Sequence, residues 1–211
     1  MTRRGVLVAL EGIDGAGKST LLRPLAAALR RRGLRVVVRR EPVDPHLGGL
    51  AQRASVRDPW SGAVYFMLDR FLARPALERD LAGADVVISD RSLYSTLAYQ
   101  GSALPAPAVR RLEALAPQAT ILPDRVVWLD LAPGDALARL GRRGRLRGPL
   151  ERRRTLTRVA TRYRTLARRG GWIVLDAGRP TPELVAHTLV GLEDALPVPR
   201  ERGRARREQR T

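Results

Sequence analysis

The sequence predicts an α/β fold, a parallel sheet wrapped by helices, on three observations. Short apolar runs rich in Val, Leu and Ile alternate with longer stretches of helical periodicity. Each run is nearly continuous in apolar character, as a strand buried on both faces is. A chain of 211 residues with 44% hydrophobic and 28% charged residues has the size and composition of one folded domain with a substantial core.

Five strands are expected: Val6 to Leu10, Leu34 to Val38, Asp85 to Ser89, Val126 to Leu131, and Trp172 to Leu175. Between the first two, Leu21, Leu22, Leu25, Ala28 and Leu29 fall on one helical face, and Gly33 stands where a helix ends in a left-handed residue. Pro24 lies inside that helix, and its missing N–H predicts a kink or bulge there. Further helices are expected across Ala63 to Arg79, Ala106 to Leu115, Gly134 to Leu140, Glu151 to Arg169 and Pro182 to Leu196. Two segments break the pattern. Gly141 to Arg154 holds seven arginines among fourteen residues and reads as an internal basic loop. From Pro197 the chain carries six arginines without aliphatic periodicity, so residues 1–196 are expected to form the domain and 197–211 a disordered tail.

Composition excludes several chemistries. With no cysteine there is no disulfide framework, thiolate zinc site or cysteine nucleophile, and His46 and His187 leave little for imidazole chemistry. No apolar run approaches the ~18 residues of a membrane span, and a cytoplasmic protein is the simplest expectation. The 39 basic and 21 acidic residues give a net charge of +18, which points to polyanionic partners. Lys18 is the sole lysine, so position rather than charge alone must single out the functional arginines.

Lys18 sits in Gly12-Ile13-Asp14-Gly15-Ala16-Gly17-Lys18-Ser19, a match to G-x-x-x-x-G-K-[ST] between a buried strand and an amphipathic helix that Thr20 continues. Glycines let successive N–H groups and the helix N-terminus face a polyphosphate. Lys18 supplies a point charge, and the Ser19 hydroxyl can reach Mg²⁺. Residues 12–20 are therefore expected to hold the phosphates of a nucleoside triphosphate, with Mg²⁺ at Ser19. A GTPase would need a second lysine to read guanine, and motor ATPases need longer chains, which leaves small phosphotransferases.

Asp90-Arg91-Ser92 follows the third strand, and Ser95, Tyr99 and Gln100 come soon after. Ligands of a doubly wound sheet bind at the C-terminal ends of its strands, so Asp90 and Arg91 are expected beside the phosphate loop, Asp90 toward Mg²⁺ and Arg91 toward phosphate. Spacing alone also allows a surface pair that caps the next helix.

Together, the phosphate loop with Asp14, Arg40-Glu41-Pro42 after the second strand, Phe66 with Arg70, and Asp90-Arg91 followed by Ser95, Ala98, Tyr99 and Gln100 resemble bacterial thymidylate kinase over roughly residues 5 to 195. The resemblance implies a P-loop NTPase three-layer α/β/α sandwich with strand order 2-3-1-4-5, a homodimer, and transfer of the γ-phosphoryl group of ATP to thymidine monophosphate. It gives Phe66 the role of stacking on thymine, Arg70 its carbonyl edge, Arg91 the acceptor phosphate, and Asp14 and Tyr99 the sugar. Ser95 and Gln100 complete the acceptor pocket, Arg139 lies near adenine, and Gly141 to Arg154 resembles a lid over ATP. Family members carry a catalytic arginine either in the phosphate loop or in the lid. Gly15 occupies the loop position, so a lid arginine is implied, with Arg142 and Arg147 ranked first beside Lys18 and Arg91. Three places depart from the family pattern: Val43-Asp44-Pro45 after Glu41-Pro42, Ser92 where an aromatic is usual, and Arg147-Gly148-Pro149 in the lid.

Two other readings stay open. A nucleoside kinase would need a base near the 5′-hydroxyl, for which Glu41 is a candidate. A non-catalytic nucleotide-binding protein would draw support from the basic tail, through nonspecific nucleic-acid contact.

Overall fold

A computed structural model describes residues 4–142, 144 and 152–198 of the chain. Most of the lid-like segment, with Arg147, and the tail beyond 198 lie outside the described residues.

Five strands form one parallel sheet: β1 (Val6–Glu11), β2 (Val36–Arg40), β3 (Val86–Asp90), β4 (Arg125–Asp130) and β5 (Ile173–Asp176), ordered β2-β3-β1-β4-β5. The order expected from the resemblance is found. β1 is central, with Val8 opposite Ile88 on one side and Arg125 on the other. Every residue of β1 and β3 is buried, which explains their unbroken apolar character. Glu11 and Asp90 are the charged exceptions, and both sit at C-terminal strand ends.

The helices are α1 (Lys18–Arg31), α2 (Pro45–Arg57), α3 (Pro59–Gly83), α4 (Leu93–Tyr99), α5 (Ala106–Ala119), α6 (Pro133–Arg142), α7 (Arg153–Gly170) and α8 (Thr181–Leu192). Helix α1 packs beside α8, whereas α3, α4, α5 and α7 pack among themselves and α3, α4 and α7 run into the other side of the sheet's core. The five leucine and alanine positions read as the inner face of α1 are all buried. Gly33 closes that helix at φ +85°, and its N–H bonds to the Arg30 carbonyl at 2.9 Å.

Two expectations are sharpened. α1 is one continuous helix through Pro24; the buried leucines on both sides hold it across the one missing backbone bond. The stretch read as beginning at Ala63 is preceded by a whole additional helix, α2. Its start is written in Asp44-Pro45: the Asp44 carboxylate accepts the N–H groups of His46 (2.7 Å) and Leu47 (3.1 Å), and Pro45 takes the first turn. Asp58-Pro59 repeats the device at the start of α3. The Val43-Asp44-Pro45 departure is thus a helix start. The Asp69 carboxylate fastens it by accepting from the N–H groups of Val43 (3.0 Å) and Asp44 (2.8 Å).

Candidate active site

Because all strands run parallel, the turns after β1, β2 and β3 meet at one edge of the sheet. The first turn wraps through Gly12, Gly15 and Gly17, all at positive φ. At Gly15 a side chain is excluded twice over: φ is +86°, and a Cβ would lie 2.6 Å from the Ala136 carbonyl oxygen of α6. An arginine at this place would push α6 away, which agrees with a loop that supplies no arginine of its own.

Lys18 opens α1 and is buried. Its ammonium donates to the carbonyls of Gly12 (2.8 Å) and Ile13 (3.1 Å). Burial, and then the positive charge of Arg91, push it down to about 8, against the pull of Asp14, Asp90 and Glu11. Ser19 Oγ donates to Asp90 Oδ2 at 3.0 Å, so the β1 and β3 turns join. Asp90 is buried, and its Oδ1 has no hydrogen-bond partner among the described residues.

Arg91 follows at φ +81°, a strained conformation for a residue with a side chain. Two contacts impose it: the Arg91 N–H donates to the Leu10 carbonyl at 3.0 Å, and the Ser89 hydroxyl donates to the Arg91 carbonyl at 2.7 Å. The side chain pairs with Asp14, donates from Nη1 to Ser95 Oγ at 3.0 Å, and lies 5.4 Å from the Tyr99 ring centroid. Burial works to raise the Asp14 carboxyl, but Arg91, Lys18 and Tyr99 together hold it below the usual carboxylate range. The Tyr99 hydroxyl accepts the Asp14 N–H at 2.8 Å. Burial and the nearby Asp14 charge keep that phenol protonated well beyond its ordinary range. Asp14, Arg91, Ser95 and Tyr99, separated by up to 85 residues, are therefore one connected group.

Arg70 is buried on α3. It donates to Glu41 Oε2 (2.8 Å), Thr96 Oγ1 (2.9 Å), the Ser92 carbonyl (2.8 Å) and, longer, the Phe66 carbonyl (3.4 Å). Among the described residues, one Nη2 hydrogen of its five N–H donors is left uncommitted. Phe66 is half-buried one turn earlier on the same helix. Gln100 is buried, donates from Nε2 to Ser55 Oγ at 3.0 Å, and keeps its Oε1 without a partner among the described residues. Arg139, half-buried on α6, donates to the Ala177 carbonyl at 2.9 Å, and its Nη1 stands 3.9 Å from where a Gly17 side chain would begin. Arg142 is exposed at the end of α6.

A family model described as thymidylate kinase matches residues 10–188 of this chain. The chain belongs to the thymidylate kinase family. It is 34% identical over 197 residues to a probable thymidylate kinase of Pyrobaculum calidifontis, covering 90% of this chain and 97% of that protein. Thymidylate kinases of Xanthomonas oryzae (36%; 88% and 83% covered) and Prochlorococcus marinus (38%; 82% and 87% covered) are similar to it as well.

Several groups in this thymidylate kinase fold escaped the sequence reading. Glu11, wholly buried, accepts hydrogen bonds from Ser92, Ser95 and Tyr163, all at 2.7 Å. A lone acidic residue closing an apolar strand was its only signal. The Glu41–Arg70 pair spans 29 positions and had none. For Mg²⁺, Ser19 Oγ and the Asp90 carboxylate offer adjacent hard oxygen donors, and the orphaned Asp90 Oδ1 fits a cation or its water shell. Among the described residues no group of three or more His, Asp or Glu side chains forms a separate metal site, and no helix is long and apolar enough to cross a membrane.

Proposed function

We propose that this chain transfers the γ-phosphoryl group of ATP to thymidine monophosphate, giving the diphosphate for thymidine triphosphate synthesis. The observation that carries the reading is the direct link between a phosphate loop and an Arg91-centred group at the same sheet edge. Phosphoryl transfer needs donor and acceptor phosphates brought in line and their charge neutralised.

Residues 12–20 cradle the ATP phosphates, with Lys18 leaving its loop carbonyls for a phosphate oxygen. Bound Mg²⁺, held through Ser19 and Asp90, would supply charge neutralisation at the phosphates. Arg91 trades Asp14 for the acceptor phosphate while Ser95 keeps its other nitrogen in place. Phe66 stacks on the base, and the uncommitted Arg70 hydrogen addresses a base carbonyl. Asp14 and Tyr99 fill the sugar pocket, Gln100 closes it with its free Oε1, and Arg139 borders adenine. Arg142 or Arg147 supplies the transition-state arginine. No general base is needed, because a monophosphate with a second pKa of about 6 is already ionised at neutral pH. The engagement of Glu41 by Arg70 argues against a nucleoside kinase with Glu41 as base.

A homodimer is supported by Val64 (47% exposed), Leu68 (42%), Phe71 (57%) and Leu72 (62%), an exposed apolar stripe at helical spacing on α3. The absence of a long apolar helix among the described residues accords with a cytoplasmic enzyme. Turnover of ATP with a panel of nucleoside monophosphates and nucleosides tests the proposal. Thymidine monophosphate is expected to have the highest kcat/KM, and a nucleoside or ribonucleotide in first place would overturn it.

A further inference from the structure

Glu11 takes no part in the steps above, yet it is the most completely buried charged side chain at the site, and among the described residues it forms no ion pair. A carboxylate in such a place is costly unless fully hydrogen-bonded. Here three hydroxyls satisfy it: Ser92 on Oε1, and Ser95 and Tyr163 on Oε2, each at 2.7 Å. An apolar group of similar shape would serve stability at least as well, so stability alone does not account for it.

Its chemistry accounts for it better. A carboxylate can only accept, so each hydroxyl must aim its hydrogen at Glu11. Ser95 then has only lone pairs left for its other neighbours, Arg91 Nη1 at 3.0 Å and the Tyr163 hydroxyl at 3.1 Å, and of these the guanidinium always donates. Ser92, with its hydrogen committed, accepts the Tyr94 N–H at 3.2 Å and so caps α4, while its carbonyl receives Arg70 Nη2 at 2.8 Å. Tyr163 brings in α7, the helix that follows the arginine-rich segment. Burial and the Glu11 charge keep that phenol protonated, hence a donor. Ser92 replaces the aromatic residue usual after Asp-Arg, and it is this replacement that adds the third hydroxyl.

We infer that Glu11 is a positioning residue of the acceptor site, fixing the direction of the hydrogen bond by which Ser95 holds Arg91 and anchoring the Ser92 residue whose carbonyl receives Arg70. The inference rests on the proposed acceptor role of Arg91. Glutamine at position 11 would turn a donor toward one of the hydroxyls and break that one-way polarity without changing side-chain size.

The test is steady-state kinetics of Glu11→Gln, Glu11→Asp, Ser95→Ala and the Glu11→Gln/Ser95→Ala double variant, each corrected for folded fraction. Glu11→Gln is expected to lower kcat/KM for thymidine monophosphate at least about 10-fold, the weight of one hydrogen bond to a charged group. KM for ATP should move less than about 3-fold, since the loop that holds ATP meets this chain of bonds only through the Asp14–Arg91 pair, which the acceptor phosphate replaces in the proposed complex. Glu11→Asp, still a pure acceptor, should recover part of the loss. The double variant should be no worse than the poorer single one, because both cut the same chain. Equal losses for both substrates, no rescue by aspartate, or multiplying effects would each overturn the inference. If Glu11→Gln does not fold, Ser95→Ala and Tyr163→Phe carry the same substrate-selectivity test. The wild-type acceptor panel separately tests the activity; should another monophosphate be preferred, the same ratios are read with it, and for an inactive wild type they are read as dissociation constants for thymidine monophosphate.

Discussion

Removing Arg70 should expose how tightly the acceptor side is tied to Glu41. In the Arg70→Met variant the Glu41 carboxylate, only 16% exposed, loses its ion-pair partner at 2.8 Å, and Thr96 Oγ1 and the Ser92 carbonyl lose a donor. Breaking a buried pair from one side costs about 3–5 kcal/mol. At about 2–4 °C per kcal/mol for a domain of this size, the melting temperature should fall by roughly 6–20 °C at pH 7.5. The loss has a pH signature. Burial already raises the Glu41 carboxyl above its ordinary 4.5 against the pull of Arg70, and without Arg70 it rises further. Between 4.5 and the raised value the folded variant binds more protons than the unfolded one, so stability contributed below that window is lost as pH rises through it. The deficit against wild type should therefore be smaller at pH 5 than at pH 7.5. Adding Glu41→Gln should remove that pH dependence and part of the deficit. The assay is thermal melting by circular dichroism without ligands. A deficit equal at both pH values, or a variant melting within about 1 °C of wild type, would refute the reasoning.

Lys18→Ala should nearly abolish turnover while leaving the melting curve cooperative, and unchanged turnover would remove the phosphate-loop mechanism. Tyr99→Leu should raise activity on the ribonucleotide relative to the deoxyribonucleotide, read as a ratio of kcat/KM values. Among alanine variants of Arg142 and Arg147, one should lose about 10³ or more in kcat with a smaller change in acceptor KM, and near-normal kcat in both and in the pair would end the lid assignment. On size-exclusion chromatography with light scattering the proposed homodimer should be seen for the wild type and lost in Leu72→Glu, which places a charge in the exposed apolar stripe of α3, and a monomeric wild type would end the dimer proposal.

What the sequence made legible follows from locality. The five strands, the phosphate loop and the turn after β3 are written in consecutive residues, and all five strands appear within two residues of their expected limits. The α2 start was written too, in Asp44-Pro45, but two glycines beyond it weaken the helical pattern. Side-chain partnerships across the sheet edge were out of reach, because Glu11 meets Tyr163 across a sequence separation of 152 positions. Asp90 was readable as a charged strand end, whereas the strain at Arg91 was not, since φ follows from the neighbours that pull on it.

The two cations to which the proposal gives phosphate contacts have protein partners: Lys18 its own loop's carbonyls and Arg91 the Asp14 carboxylate. A visiting anion must outcompete these contacts rather than fill a waiting hole. Chloride or a lone carboxylate, drawn in numbers to a surface of net charge +18, offers too little in exchange. A triphosphate, with several charged oxygens presented together, offers enough. On the proposed reading these contacts would set a threshold that favours polyphosphates over the small ions that the protein's own charge gathers around it.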